Sequence, residues 1–445
     1  GETPILPDRD SPPLAFDLRP LRVGHTTIAF DFFQGGQPLR TATVPVEITP
    51  FEVVEGAEPR PAGALHLAPD LAPPDMVLHI AWQPSPPALE FTLIRDGGAW
   101  WRTFAPVPLE GDPATHAGSL YRRIAALVDH DDPALKAVLG KRQAIPAEGA
   151  DRRIRQLGQG LWRDVVPAEL RALYAAERPQ WQDRTLMILS DEPHLPWELV
   201  WPYEPGGYEE CGPWCSSLRM TRWLRRDSRG NGNETPPGRL ALRALAVLAP
   251  SYSLLPDLKA AQIELEIMRD LVSQYSLRDV SPPQPSWEAV MDLLEGGDYD
   301  WFHAAAHGNF YAEAPEGDSA LWLQRDVSLT PDAIVGGAIE GHLKRDHPAF
   351  FFNACQAGRQ GWALTRLGGW ANRLVSSGAG LFVGPLWEVS DGGALDFARV
   401  FYGALFSGDT VAESARQGRE AARRAGDPTW LAYSVYGHPN ARVVL

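Results

Sequence analysis

Two side chains able to make and break covalent bonds stand just past two short apolar runs. Residues 301–306 close on His307-Gly308, and residues 349–353 close on Ala354-Cys355. A cysteine thiolate attacks carbonyl carbon, and an imidazole can balance the thiolate charge and hand a proton to a leaving amine. That chemistry makes Cys355 the candidate nucleophile and His307 the candidate general acid. Gly308 lacks a side chain, which lets a substrate backbone come close and leaves its N–H free to point inward. Together with the N–H of Cys355 it would form an oxyanion hole. Taken singly these residues say little, because free cysteine is usually a core residue and His-Gly usually just ends a strand. Their order, and a separation of 355 − 307 = 48 positions, join them into one site.

The elements that must position this pair can be read around it. Each apolar run has the length of a fully buried strand in a parallel sheet. Residues just past the carboxyl ends of such strands sit where open α/β sheets bind ligands. Between the runs lie a polar insert and a helical pattern, as a right-handed crossover requires. Residues 240–248 read as a further strand. Residues 256–275 read as an amphipathic helix with Leu258, Ile263, Ile267 and Leu271 on one side. Residues 287–294 predict a helix stopped at Gly296-Gly297, and Thr330-Pro331-Asp332 predicts a helix start. A helix over 361–376, a strand over 380–386 and helices over 394–406 and 411–424 complete the pattern. This alternation predicts a mostly parallel sheet with helices on both faces. His303, four positions before His307, faces the same way and reads as a core or supporting histidine rather than the catalyst.

The earlier part of the chain reads differently. Residues 1–56 form a small β-rich module, with a hairpin over 26–33 and 41–48 closed by a four-residue loop, 34–37. A Pro/Ala/Gly-rich linker over 57–75 follows. Residues 76–230 carry strands at 77–82, 89–94 and 185–189, with helices over 117–130 and over 152–176, the latter broken near Pro167. Residues 231–445 hold the candidate site.

Charge and cysteine count narrow the function classes. A net charge of −15 argues against a nucleic-acid partner, and the five arginines within 219–229 read as a solvated segment. Three cysteines cannot all pair, which fits a reducing, cytoplasmic setting. No stretch of 18 apolar residues argues for a membrane span and no signal peptide opens the chain, while a start at Gly1 fits a piece of something longer. Cys211 and Cys215 are separated by three residues, one too many for a redox C-x-x-C pair, and no second ligand pair for zinc follows. No metal or cofactor is implied.

His307-Gly308 and the run Asn353-Ala354-Cys355-Gln356-Ala357-Gly358 resemble the caspase-like cysteine proteases, which include caspases, legumain, gingipains and separase. The resemblance is strongest to the bacterial CHAT domain, and the separation of 48 is close to the roughly 50 of caspases. Leu195-Pro196-Trp197-Glu198-Leu199 and Leu386-Trp387-Glu388-Val389-Ser390-Asp391 also resemble that domain, so the likeness runs over about residues 76–445. It implies an α/β, caspase-like sheet flanked by helices, with a degenerate non-catalytic half at 76–230 and a catalytic half at 231–445. Trp197 and Glu198 would pack at the junction of the halves. The implied chemistry is a Cys355–His307 dyad whose imidazole is oriented by a backbone carbonyl. Asp391 matches the position of an acidic residue that binds a basic P1 side chain; the competing reading makes it a helix N-cap. The implied role is regulated cleavage of a specific protein, in defence or programmed cell death, under a regulatory or sensor protein. The alternative is a catalytically idle scaffold that binds a protein partner.

Overall fold

A computed structural model of the chain describes residues 23–34, 37–49, 71–84, 86–111, 113–125, 127, 147–192, 194–206, 212–224, 235–256, 258–310, 314–315, 317, 319–354, 361–362, 367–424 and 426–445. Its centre is a 12-stranded mixed sheet. From one edge the strands run Arg278–Asp279, Ala244–Leu248, Trp301–Ala305, Ala349–Asn353, Leu381–Pro385 and Tyr433–Tyr436. The sheet continues through Arg219–Leu224, Thr185–Ser190, Met76–Pro84, Pro87–Arg95 and Trp100–Thr103, with Val107–Pro108 added against Pro87–Arg95. The strands from Arg278 to Leu381 are parallel to one another. Tyr433–Tyr436 then runs antiparallel to Leu381–Pro385 and parallel to Arg219–Leu224.

Strand periodicity explains why the runs around the site look apolar throughout. Trp301 and His303 face one side with Leu245, Val247 and Phe351, beneath Phe397, Phe401 and Tyr402 of helix Asp391–Phe406. Phe302 and Ala304 face the other side with Phe350 and Phe352, against Leu294, Leu343 and Leu374 of three further helices. Both faces are covered, so every position on these strands except Asn353 is buried and the two-residue alternation vanishes from the sequence.

Several local expectations needed correction. The strand expected over 240–248 splits: Arg239–Ala241 pairs with Arg442–Val444, and only Ala244–Leu248 joins the large sheet. The helix expected from Thr330 is a single 3-10 turn, Pro331–Ala333, and the α-helix begins later as Gly337–Asp346. Instead of one helix over 361–376, a small strand pair, Gly361–Trp362 with Leu367–Gly368, precedes helix Trp370–Ser377. Gly369, at φ 106°, takes the N-cap conformation that an L-residue resists. The early hairpin is tighter than expected, pairing Gln34 with Gln37 across two residues. In helix Lys259–Gln274 the buried positions are Ala261, Glu264, Met268 and Leu271, while Ile263 is 48% exposed. The arginine-rich stretch is a central strand where described, and Arg222 in it is buried. No helix among the described residues is long and apolar enough to cross a membrane.

Candidate active site

The site grows out of one register pair. In the parallel ladder Ala305 lies opposite Asn353, and the Ala306 N–H donates to the Asn353 carbonyl at 3.4 Å. His307 and Cys355 each follow that pair by two positions. Neighbouring strands lie about 4.8 Å apart, so the chain enters both residues from adjacent points on the sheet edge. Cys355 itself, with residues 356–360, lies outside the described residues.

His307 is half-buried, and its Nε2, backbone N–H and carbonyl are all held. Its Nε2–H donates to the Pro256 carbonyl at 2.8 Å, and its backbone N–H donates to the Tyr252 hydroxyl at 3.0 Å. The Trp322 N–H donates to the His307 carbonyl at 2.9 Å, while the Tyr252 ring stands 4.8 Å from the imidazole. A carbonyl only accepts, so the proton of the neutral ring sits on Nε2 and Nδ1 is the nitrogen left for chemistry. The Trp322-to-His307 bond also makes Gly308 and Leu321 a non-hydrogen-bonded pair of the small antiparallel ladder. The Gly308 N–H therefore points away from strand Ala320–Leu323.

Along strands Trp301–Ala305 and Ala349–Asn353 lies a largely buried polar cluster that the sequence did not reveal. The Asn353 amide donates to both Glu264 oxygens at 3.0 and 2.9 Å, and the Tyr433 hydroxyl donates to Asn353 Oδ1 at 2.6 Å. His303, fully buried, meets the Tyr402 hydroxyl through Nδ1 at 3.0 Å. Its Nε2 lies 3.1 Å from Glu264 Oε1 but is poorly aligned for a hydrogen bond. Burial pushes the Tyr402 phenol well above its ordinary value, aided by the Glu264 carboxylate, so it stays neutral. Glu264 thus ties helix Lys259–Gln274 to strand Ala349–Asn353 and lies against His303 of the neighbouring strand. His303 is a core histidine, as expected.

Asp391 is the first residue of helix Asp391–Phe406, exposed, on the connection that leaves the carboxyl end of strand Leu381–Pro385. That strand lies beside Ala349–Asn353, so Asp391 emerges from the same end of the sheet as the histidine. The cap reading fails: Ser390 is the N-cap, its Oγ accepting from the Gly393 N–H at 3.3 Å. Glu198 meets the neighbouring strands Arg219–Leu224 and Tyr433–Tyr436, hydrogen-bonded to Arg222 and, at 2.7 Å, to the Ser434 hydroxyl. Trp197 beside it is fully buried.

Cys211 lies outside the described residues, and Cys215 is fully buried in the short helix Trp214–Ser217. Burial pushes its thiol up to about 12 despite nearby Arg419. Iodoacetamide is expected to leave Cys215 unmodified in the native protein over a period that alkylates it fully in denaturant, read by mass spectrometry of its peptide. Native alkylation at the denatured rate would contradict this burial.

Residues 151–439 match the family model of the CHAT domain. The chain belongs to the CHAT domain family. Among solved structures, this CHAT chain is similar to the separase of the Saccharomyces cerevisiae separase–securin complex, at 12% identity and a TM-score of 0.52. That match covers 83% of this chain and only 30% of the separase chain. The complex of Porphyromonas gingivalis RgpB pro- and mature domains is similar at 12% identity and a TM-score of 0.37, covering 67% of this chain and 71% of that one. Caspase-1 from Spodoptera frugiperda follows at 12% identity and a TM-score of 0.32, covering 46% and 90%. The separase likeness shows the caspase-like α/β fold; the other two are too loose to weigh. No curated protein sequence matches the chain.

Proposed function

We propose that this CHAT-family chain is a cysteine endopeptidase working through a Cys355–His307 dyad. The observation that carries the reading is the register pair Ala305–Asn353, beyond which both residues follow by the same two positions. In the proposed reaction the Cys355 thiolate attacks the scissile carbonyl carbon. The resulting oxyanion is held by the N–H groups of Gly308 and Cys355. The imidazolium of His307 gives its Nδ1 proton to the leaving amine as the C–N bond breaks, leaving a thioester. Neutral His307 then takes a proton from water as the water oxygen attacks the thioester carbon, and the C–S bond breaks to release the acid and return the thiolate and imidazolium. The Nε2–H bond to Pro256 supports this division of labour, because it commits one ring nitrogen to orientation. Asp391 is proposed to receive a basic P1 side chain, supported by its exposure at the same end of the sheet.

In the same reading residues 76–230 form the non-catalytic half and 231–445 the catalytic half, with 1–56 a separate β module and 57–75 a linker. The substrate is a specific protein cut in regulated proteolysis, in defence or cell death, with a regulatory or sensor protein controlling access. A reducing cytoplasm suits a mechanism that needs a free thiolate.

The test is covalent labelling with an arginyl acyloxymethyl ketone peptide, read by mass spectrometry. An adduct is expected on Cys355, absent in Cys355→Ala, slowed in His307→Ala, and slowed in Asp391→Asn for the arginyl probe but not for a norleucyl one. A Cys355 that takes no probe and reacts with iodoacetamide no faster than Cys211 or Cys215 would sink the peptidase reading and leave the scaffold.

A further inference from the structure

We infer that Asp326 is a positioning residue for His307, acting through the loop formed by residues 251–256. The inference rests on the reading of His307 as general acid. That loop leaves the carboxyl end of strand Ala244–Leu248 and carries both groups that grip the histidine, the Tyr252 hydroxyl and the Pro256 carbonyl. The loop has no regular secondary structure to hold it, and Leu254 in it is 89% exposed. The shape comes from outside. Asp326 Oδ2 accepts the N–H groups of Ser253 and Leu254, both at 2.9 Å, and Oδ1 accepts that of Leu255 at 3.2 Å. Three consecutive amides therefore converge on one carboxylate, directly before the residue whose carbonyl holds His307.

The turn that presents Asp326 is itself unusual. Arg325 and Asp326 have φ of 62° and 61°, two successive non-glycine residues in the left-handed region. Such backbone persists only where surrounding contacts over-determine it, and it gathers at functional sites. Here those contacts are supplied by the same loop. The Arg325 N–H donates to the Ser251 carbonyl at 3.3 Å, and the Gln324 side chain bonds both the Ser251 N–H and its hydroxyl, at 3.3 and 2.9 Å. The far side is closed through Trp322, whose N–H donates to the His307 carbonyl and whose carbonyl accepts from Tyr252. Loop, turn and histidine form one closed ring of hydrogen bonds. Removing the carboxylate frees three amides to turn toward water, and the Pro256 carbonyl moves with them. Desolvation opposes ionisation of Asp326, but the three amides and the nearby His307 hold its carboxyl below its ordinary value, so it is the anion that clamps the loop.

A tautomer measurement tests this apart from peptidase activity. The full chain, labelled with 15N-histidine, is examined by ring 15N–1H correlation, with the His307 signals assigned by their loss in His307→Gln. The native neutral ring is expected to be almost wholly the Nε2–H tautomer. Asp326→Ala is expected to mix in the Nδ1–H tautomer, and Asp326→Asn, which keeps one acceptor oxygen, to shift less. In parallel, labelling of Cys355 by the arginyl probe is expected to slow about tenfold in Asp326→Ala, within the 10²-fold that a 1 Å misplacement can cost. A His307 ring that keeps the single Nε2–H tautomer in Asp326→Ala overturns the inference, whether or not Cys355 is labelled. Failure of Cys355 to label in the unsubstituted chain, with the tautomer shift present, overturns the peptidase reading and leaves Asp326 as the clamp of His307.

Discussion

Replacing His307 with alanine is expected to lower kcat for cleavage of an arginyl peptide by about 10²- to 10⁴-fold, the usual range for loss of a general acid. KM is expected to change little, because the lost proton transfer belongs to the transition state and not to substrate binding. The fall should approach that of Cys355→Ala, and the double variant should be no worse than the weaker single one, since the two residues act as a unit. Among the described residues, His303 on the same strand cannot substitute. His303 is fully buried, bonded to Tyr402 and packed on Phe351, and its strand holds it in the core. The measurement is steady-state hydrolysis by the full chain, with near-native circular dichroism as the control for folding. Wild-type kcat in His307→Ala would move the acid to another residue and remove the dyad.

The fold around this histidine was legible in the sequence for a definite reason. Strands buried on both faces, such as Trp301–Ala305 and Ala349–Asn353, leave continuous apolar runs, and the residues that follow them are then conspicuous. The strand ends that carry the candidate residues were therefore readable, as was the buried role of His303. That a backbone carbonyl would orient the His307 ring was implied by the family resemblance, but which residue supplies it was not legible. Pro256 contributes only its carbonyl, which every residue has, and Tyr252 and Asp326 stand 307 − 252 = 55 and 326 − 307 = 19 positions from His307. Glu264 was missed because the helix was read by its apolar residues alone, which placed Ile263 inside. The signal was present: Ala261, Glu264, Met268 and Leu271 form one face, and a carboxylate on such a stripe must have buried partners. Arg222 misled for the converse reason. A run of arginines reads as solvated unless a distant carboxylate is known to face it, and Glu198 comes from another segment. Asp391 was half legible: the helix start was visible, but the cap fell to Ser390, one residue earlier.

The buried pair formed by Arg222 and Glu198 leads to the second large effect, on stability. Arg222 Nε donates to Glu198 Oε1 at 2.8 Å, Nη2 reaches the other oxygen, and Nη2 also donates to the Leu195 carbonyl at 3.0 Å. The side chains are 7% and 1% exposed. Burial alone would push the guanidinium down; the Glu198 carboxylate outweighs it, and the net shift is upward. Arg222 thus stays charged at every pH the fold survives, so losing its partner strands a cation inside. Glu198→Ala is expected to cost about 3–5 kcal/mol, the range for breaking a buried pair from one side. Replacing both, as Glu198→Leu with Arg222→Met, is expected to recover most of the loss, because no charge is then left unpaired. The pair sits where strands Arg219–Leu224 and Tyr433–Tyr436 meet: Tyr436 pairs with Arg222, the Gly437 N–H donates to the Arg222 carbonyl, and Ser434 bonds Glu198. The damage should therefore begin locally. Hydrogen exchange in Glu198→Ala is expected to quicken first in strands Tyr433–Tyr436 and Arg219–Leu224, ahead of Ala244–Leu248, with a lower urea midpoint. If the single variant matches wild type to within about 0.5 kcal/mol, the range of ordinary surface substitutions, water or another anion reaches Arg222 and the junction is not dry.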